Sequence, residues 1–269
     1  MGIIKGSKVG DDVIIMGNRF SPHKGYHFAI FVLCICFFVL ALKRRMELIN
    51  FQSVDETTVS QTMVSFHPHS EYPKEAELIM DVPYTSQLPE LRNGCEVTSS
   101  TMLLNYYGFA ADKCQMADDY LPKLYPYNAV DPEEGYMGDP YTLWGYYCMT
   151  KPIVVSINDY FSDLNVHNWK AVDISGVSVN QIKSYISEGT PIQVWVTKGF
   201  SMPEYNESFV LPNGEKPYSN LHSVVITGMS ESEFYLNDPL IGKCSVSIEL
   251  FQQSFTALGN RAVCIKNGE

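Results

Sequence analysis

The stretch Asn93-Gly94-Cys95-Glu96-Val97-Thr98-Ser99-Ser100 constrains this chain more than any other, because it puts a cysteine where a loop turns into a helix. Asn93 and Gly94 are cap-type residues. Val97, Thr101, Leu104 and Gly108 recur three to four apart, one face of a helix, and Gly108 ends it. Cys95 therefore falls in the first turn, where unpaired backbone N–H groups and the positive end of the dipole favour a thiolate. A nucleophile needs that setting. A cysteine taken alone is more often a small buried apolar residue, so the rest of the chain must supply its partners.

Apolar residues make up 45% and charged residues 18% of 269. That is enough for one folded domain of about 200 residues plus an extension. Net charge is −11, and residues 1–45 carry +5 of it, which leaves −16 for the remainder. So acidic a main domain is a poor match for nucleic acid, whose phosphates demand a basic face. Residues 1–27 read as a polar tail. Residues 28–42 contain no charge and run directly into Lys43-Arg44-Arg45. Tyr26, His27 and the basic stems extend this run towards the roughly 20 residues a span needs. We read residues 28–45 as an uncleaved single-pass transmembrane anchor. The alternative is a cleaved signal peptide and a secreted domain, but Lys-Arg-Arg stands where a small-residue cleavage site belongs. Residues 46–76 read as a linker, and 77–269 as the folded domain.

Cys34 and Cys36 lie in the apolar run, leaving Cys95, Cys114, Cys148, Cys244 and Cys264. An odd set fits one free thiol plus up to two disulfides among the other four, with the pairing open. No CxxC and no Cys/His cluster of zinc spacing occurs, so neither a metal nor a cofactor is expected.

Residues 78–84 read as a short strand ending at Pro83. After the Cys95 helix, Asp112 caps a second helix that Pro122 stops. Residues 122–152, rich in Pro, Gly and Tyr, form a loop long enough to be functional. Residues 153–164 are helical. Ser178 with Gln181 is a capping box opening a helix that closes at Gly189. Ile192, Val194 and Val196 alternate as a strand. A polar loop over 198–220 leads to strands at 221–227 and 234–236, a strand near Cys244, a helix through Phe251 and Phe255, and a closing strand at 261–265. Early helices and late hairpin-spaced strands predict an α+β fold with an antiparallel sheet.

A nucleophilic cysteine needs a base, and the base needs an orienting group. Within the folded domain only His167 and His222 remain, and His167 has no acid placed beside it. His222 opens one predicted strand, and Asn237-Asp238-Pro239 ends the next. A turn centred on Ser230 faces His222 with Asp238; one centred a residue later faces it with Leu240. Either way imidazole and carboxylate share one end of a hairpin, within reach of a hydrogen bond that fixes the tautomer. The Cys95 N–H and the Gln87 side-chain amide can together hold an oxyanion. The Cys95 thiol and the His222 ring should then lie within hydrogen-bond reach. Glu96 is expected to point away from the cleft, complementing the helix dipole.

Those residues sit in longer motifs. Asp81-Val82-Pro83-Tyr84 with Gln87-Leu88-Pro89-Glu90-Leu91, Asn93-Gly94-Cys95-Glu96-Val97-Thr98-Ser99, Asn105-Tyr106-Tyr107-Gly108, Gly138-Asp139-Pro140-Tyr141, Gly189-Thr190-Pro191-Ile192, His222-Ser223-Val224-Val225-Ile226-Thr227-Gly228 and Asn237-Asp238-Pro239-Leu240 resemble the C-39-like group of papain-fold cysteine peptidases. These are relatives of the domains that remove double-glycine leaders from bacteriocins. The resemblance covers about residues 77–266. It implies a papain-like α+β fold in which a helix bearing the nucleophile packs on an antiparallel sheet. It implies Cys95 as nucleophile, His222 as general base, Asp238 as its orienting acid and Gln87 as the oxyanion-hole residue. It also implies a peptide or protein substrate, a bacterial source and a domain exported across the cell membrane. Gly94 before the cysteine and Glu96 after it depart from the leader-cutting domains, so their specificity is not carried over. The expected function is a membrane-anchored cysteine peptidase, with the loops at 122–152 and 198–220 flanking its cleft. Two alternatives keep the scaffold: transfer of the acyl group to an amine, as in transglutaminase-like proteins, and a non-catalytic, membrane-tethered binding domain.

Overall fold

One strand, Leu221–Met229 (β6), carries the architecture, and its sequence explains why. Val224, Val225, Ile226 and Thr227 are β-branched residues suited to a pleated surface, and every residue but Met229 is buried. Ile192–Thr197 (β5), likewise buried throughout, pairs with it antiparallel from Ile192↔Ile226 to Thr197↔Leu221. A central strand covered on both faces is a continuous apolar run and does not alternate. The computed structural model describes residues 78–268, so the expected tail, anchor and linker all lie outside the described residues.

The other strands are Leu78–Ile79 (β1), Trp169–Asp173 (β4), Glu233–Asp238 (β7), Gly242–Ser247 (β8) and Ala262–Asn267 (β9). They complete a seven-stranded antiparallel sheet in the order β4-β9-β5-β6-β7-β8. β1 pairs with the end of β6, on the edge that β5 has already left. A Cβ on Gly228 would stand 2.4 Å from the Leu78 carbonyl oxygen, so this close crossing needs glycine. Two two-residue strands, Lys123–Leu124 (β2) and Tyr136–Met137 (β3), pair in parallel inside the long loop.

Four helices pack on the main sheet: Cys95–Tyr106 (α1), Thr150–Asp163 (α2), Val179–Ser187 (α3) and Ile248–Ala257 (α4). The predicted capping box at Ser178 and Gln181 opens α3. Asp112 caps its turn through the N–H groups of Cys114 and Gln115. α1 departs from the expected one-sided pattern: Cys95 through Leu104 are all buried. Two of its hydroxyls bond locally, Ser100 Oγ and Thr101 Oγ1 both donating to the Val97 carbonyl at 2.8 Å, while the buried Thr98 Oγ1 has no partner. The predicted first strand shrinks to β1, because the chain leaves the sheet once Met80 N has bonded to Thr227 O. β4 is a half-exposed edge strand that gave no clear alternation in the sequence.

The disulfide expectation is corrected. All five cysteines among the described residues are free. Cys244 lies on β8 and Cys264 on β9, with β7, β6 and β5 between them. At about 4.8 Å per strand that is roughly 19 Å, far beyond the ~7 Å Cα limit for a disulfide.

Candidate active site

β6 outruns β7, and the site is built where it does. Ladder pairs run Val225↔Asn237 and Ile226↔Leu236, then slip across Thr227 to Gly228↔Tyr235. Extended to the site, this register sets His222 level with Leu240, the second of the two alternatives considered above. His222 and Asp238 are instead diagonal neighbours, and the pair still closes: His222 Nε2 lies 2.8 Å from Asp238 Oδ1. Both side chains are nearly inaccessible, at 4% and 7%. Asp238 Oδ1 also accepts from Leu240 N at 2.8 Å and Ile241 N at 3.3 Å. The turn after β7 therefore fixes the carboxylate, and the carboxylate fixes the ring.

Past the end of β7, one edge of β6 needs other partners. Trp195 N donates to Arg261 O, on the side of β5 away from β6. The Trp195↔Ser223 pair is therefore a non-hydrogen-bonded one, and the Ser223 backbone groups point away from β5. The first turns of α1 meet them. Ser99 Oγ donates to Ser223 O at 3.1 Å, and the Ser223 N–H faces the Cys95 sulfur. Cys95 thus sits against the residue that follows His222. Gln193 Nε2, from β5, donates to both Glu96 O and Ser223 Oγ and locks helix to sheet.

Gln87 arrives from the other side. Its backbone N donates to Pro239 O at 2.8 Å, directly after Asp238, and its Nε2 donates to Arg92 O at 2.9 Å, just before the nucleophile loop. Its buried Oε1 has no partner. Lys113 clamps this segment through the carbonyls of Ser86, Gln87 and Leu88 and through Glu90 Oε2 at 2.7 Å. All four predicted site residues therefore come to one region.

The sulfur's hydrogen bond goes elsewhere. Among the described residues Cys95 Sγ forms no hydrogen bond with His222. Its S–H is donated to Glu96 Oε2 at 3.2 Å. Nor does Glu96 point away: it is fully buried, and its Oε1 accepts the Cys148 N–H at 3.2 Å. Burial, and then the Glu96 carboxylate, push the Cys95 thiol well above its ordinary value, against the smaller pull of the Ser223 N–H and the Lys198 charge. Burial pushes Glu96 up to about 7, partly offset by its own backbone N–H, by the Cys95 thiol, by the Cys148 N–H and by the charge of His222. Sequence reasoning noticed Glu96 and missed its direction; only the fold shows that its side chain is fully enclosed. Ser223 and Lys113 carried no signal in the sequence.

The two long loops meet beside the site. Tyr127 stacks on Tyr146 and Trp144, with ring centroids 5.0 and 5.8 Å away. Phe209, from the second loop, sits edge-on to Tyr127 and Tyr146. A cavity of about 550 Å³ lies between Tyr125, Pro126, Tyr127, Asp139, Thr142 and Trp144. Asn93, two residues before Cys95, ties that wall down: its Nδ2 donates to Thr142 O and its backbone N to Pro140 O, each at 3.0 Å.

The chain and its fold can be set beside known proteins. The model of the Peptidase_C39-like family matches residues 79–263, and the chain belongs to that family. It is 31% identical over 195 residues to the uncharacterized protein YvpB of Bacillus subtilis strain 168, a match covering 70% of this chain and 75% of that protein. A crystal structure described as a C39-like peptidase from Bacillus anthracis shares the fold with a TM-score of 0.62 at 28% identity, over 71% of this chain and 98% of its own. A double-glycine motif protease from an AMS/PCAT transporter, solved with its leader peptide, has a TM-score of 0.39 at 18% identity, over 70% of this chain and 92% of its own. At the level of the family, the domain is of the cysteine-peptidase class with a C39-like fold.

Proposed function

We propose that the chain is a membrane-anchored cysteine peptidase that hydrolyses peptide bonds with Cys95, His222 and Asp238, using Gln87 in the oxyanion hole. The observation that carries this reading is the docking of the Cys95 helix on Ser223, through Ser99 Oγ at 3.1 Å, one residue from a histidine whose Nε2 is 2.8 Å from Asp238. With Nε2 donating to the carboxylate, Nδ1 is the nitrogen left to take the thiol proton and return it to the leaving amine. Sulfur attack on the carbonyl carbon would form a thioester, which water then hydrolyses. The Cys95 N–H, unpaired at the start of α1, and the second N–H of Gln87 Nε2 are the donors available to the oxyanion. The aromatic wall beside Asn93 supports a peptide substrate, since exposed Trp144 and Tyr125 offer flat apolar faces to its side chains. The uncharged run over 28–42 supports an anchor, with the domain outside the cytoplasm.

A Cys95→Ala variant tests the reading. Peptides that accumulate on it should be cut by the wild type into two fragments with free termini. An amine adduct of the first fragment, formed when amine is added, would point to acyl transfer instead. Survival of cleavage in the variant would overturn the assignment of the nucleophile.

A further inference from the structure

The proposed mechanism leaves one titratable side chain at the sulfur without a task. Glu96 is fully buried, and its carboxylate is satisfied by the Cys95 S–H and the Cys148 N–H. Among the described residues no cation forms an ion pair with it. His222 on β6 acts on it through charge, and Lys198, just after β5, acts on the thiol in the same way. From the long loop, Tyr136, Tyr147 and Cys148 interact with it through charge; the Tyr136 hydroxyl donates to Asn93 O, and the Tyr147 hydroxyl accepts from Tyr218 N. Gln193 approaches from β5 but bonds to the Glu96 backbone. In such a space two anions 3.2 Å apart repel strongly, and two groups holding one proton do not.

We propose that Cys95 and Glu96 share a single proton, which makes Glu96 the positioning residue that sets how the nucleophile ionises. The inference rests on reading Cys95 as the nucleophile. At rest the thiol holds the proton and donates it to the carboxylate. In the free chain, before a substrate brings His222 into play as the base, a minor thiolate form arises when the S–H bond breaks as an O–H bond forms on Glu96 Oε2, leaving a thiolate beside a neutral acid with no change in total charge. The share of this form depends only on the pair holding one proton. It holds one from about pH 7, where Glu96 ionises, up to the much higher value of the thiol. Below that range a second proton suppresses the thiolate about tenfold per pH unit. Without the carboxylate, the thiolate of a lone thiol climbs about tenfold per unit until its own pKa.

The test is alkylation of Cys95 in the full chain by iodoacetamide, in which a C–S bond forms and iodide leaves. It is followed at the Cys95 peptide by mass spectrometry from about pH 5.5 to about pH 9.5, a range that brackets the ionisation of a coupled acid pair. The wild-type rate should rise to about pH 7 and then stay level. Glu96→Gln should track the wild type below that point and keep rising above it, reaching on the order of a hundredfold faster at pH 9. Three wild-type results overturn the proposal: a rate still climbing through pH 9, a rate already maximal at pH 5.5 as for a thiolate–imidazolium pair, and no reaction at Cys95. The wild-type profile decides the matter even if the variant fails to fold. Alkylation needs no substrate, so a chain that levels off yet cuts no peptide would sink the peptidase reading and leave the shared proton standing.

Discussion

His222 and Asp238 are held by a hairpin and the turn that follows it, Cys95 and Glu96 by the first turn of a helix, and the two pairs differ in what satisfies their charge. The hairpin pair is complementary. An imidazole nitrogen meets a carboxylate at 2.8 Å, and two backbone N–H groups hold the same oxygen. The helix pair is two acids in contact with no cation between them. A helix N-terminus favours an anion by roughly 0.3–1 kcal/mol, whereas burial and a neighbouring like charge move a pKa by several units. The dipole therefore loses at Cys95, and position on a helix does not by itself make a thiol reactive.

That contrast can be broken or sharpened by substitution, taken here from the largest effect to the smallest. Cys95→Ala removes the sulfur proposed to form the thioester and should lower kcat on the order of 10⁴-fold or more in a peptide-cleavage assay. His222→Ala, which dismantles the complementary pair, should lower kcat by about 10³-fold. The Glu96 substitution works through stability as well. Its folded-state value, raised from 4.5 to about 7, means the protein binds this proton more tightly when folded. The stabilisation is full below about pH 4.5 and lost as pH rises through 7, a fall of roughly 3 kcal/mol. Denaturant unfolding at pH 5 and pH 8 should show that fall in the wild type and its absence in Glu96→Gln. Gln87→Ala should cost about 10²-fold in kcat with little change in KM, the loss of one oxyanion donor. Smallest is Ser178→Ala, which removes an ordinary helix cap far from the sulfur. It should cost about 1 kcal/mol of stability and leave the Cys95 alkylation rate unchanged.

Much of this was legible in the sequence, and the reasons are local. The capping box of α3, the glycine stop of α1 and the Asp112 cap depend on neighbours within a few residues. The His222–Asp238 pair was legible because both residues bracket one hairpin, although the bulge at Thr227 made them diagonal neighbours. What was not legible depends on packing between distant segments. Nothing near Glu96 says that Cys148, some fifty residues on, will donate to it, or that α1 is enclosed on all sides. β4 was missed because an edge strand with a polar face has neither a clean alternation nor a continuous apolar run. The free cysteines were misjudged because a count carries no distances.

The central claim is that Cys95 attacks peptide bonds with His222 as its base. The most direct measurement is cleavage of one mixed peptide library by the wild type, Cys95→Ala and His222→Ala at equal concentration, with new termini identified by mass spectrometry. The account predicts a defined set of new termini with the wild type and none above background with either variant. The same termini produced by Cys95→Ala would contradict it.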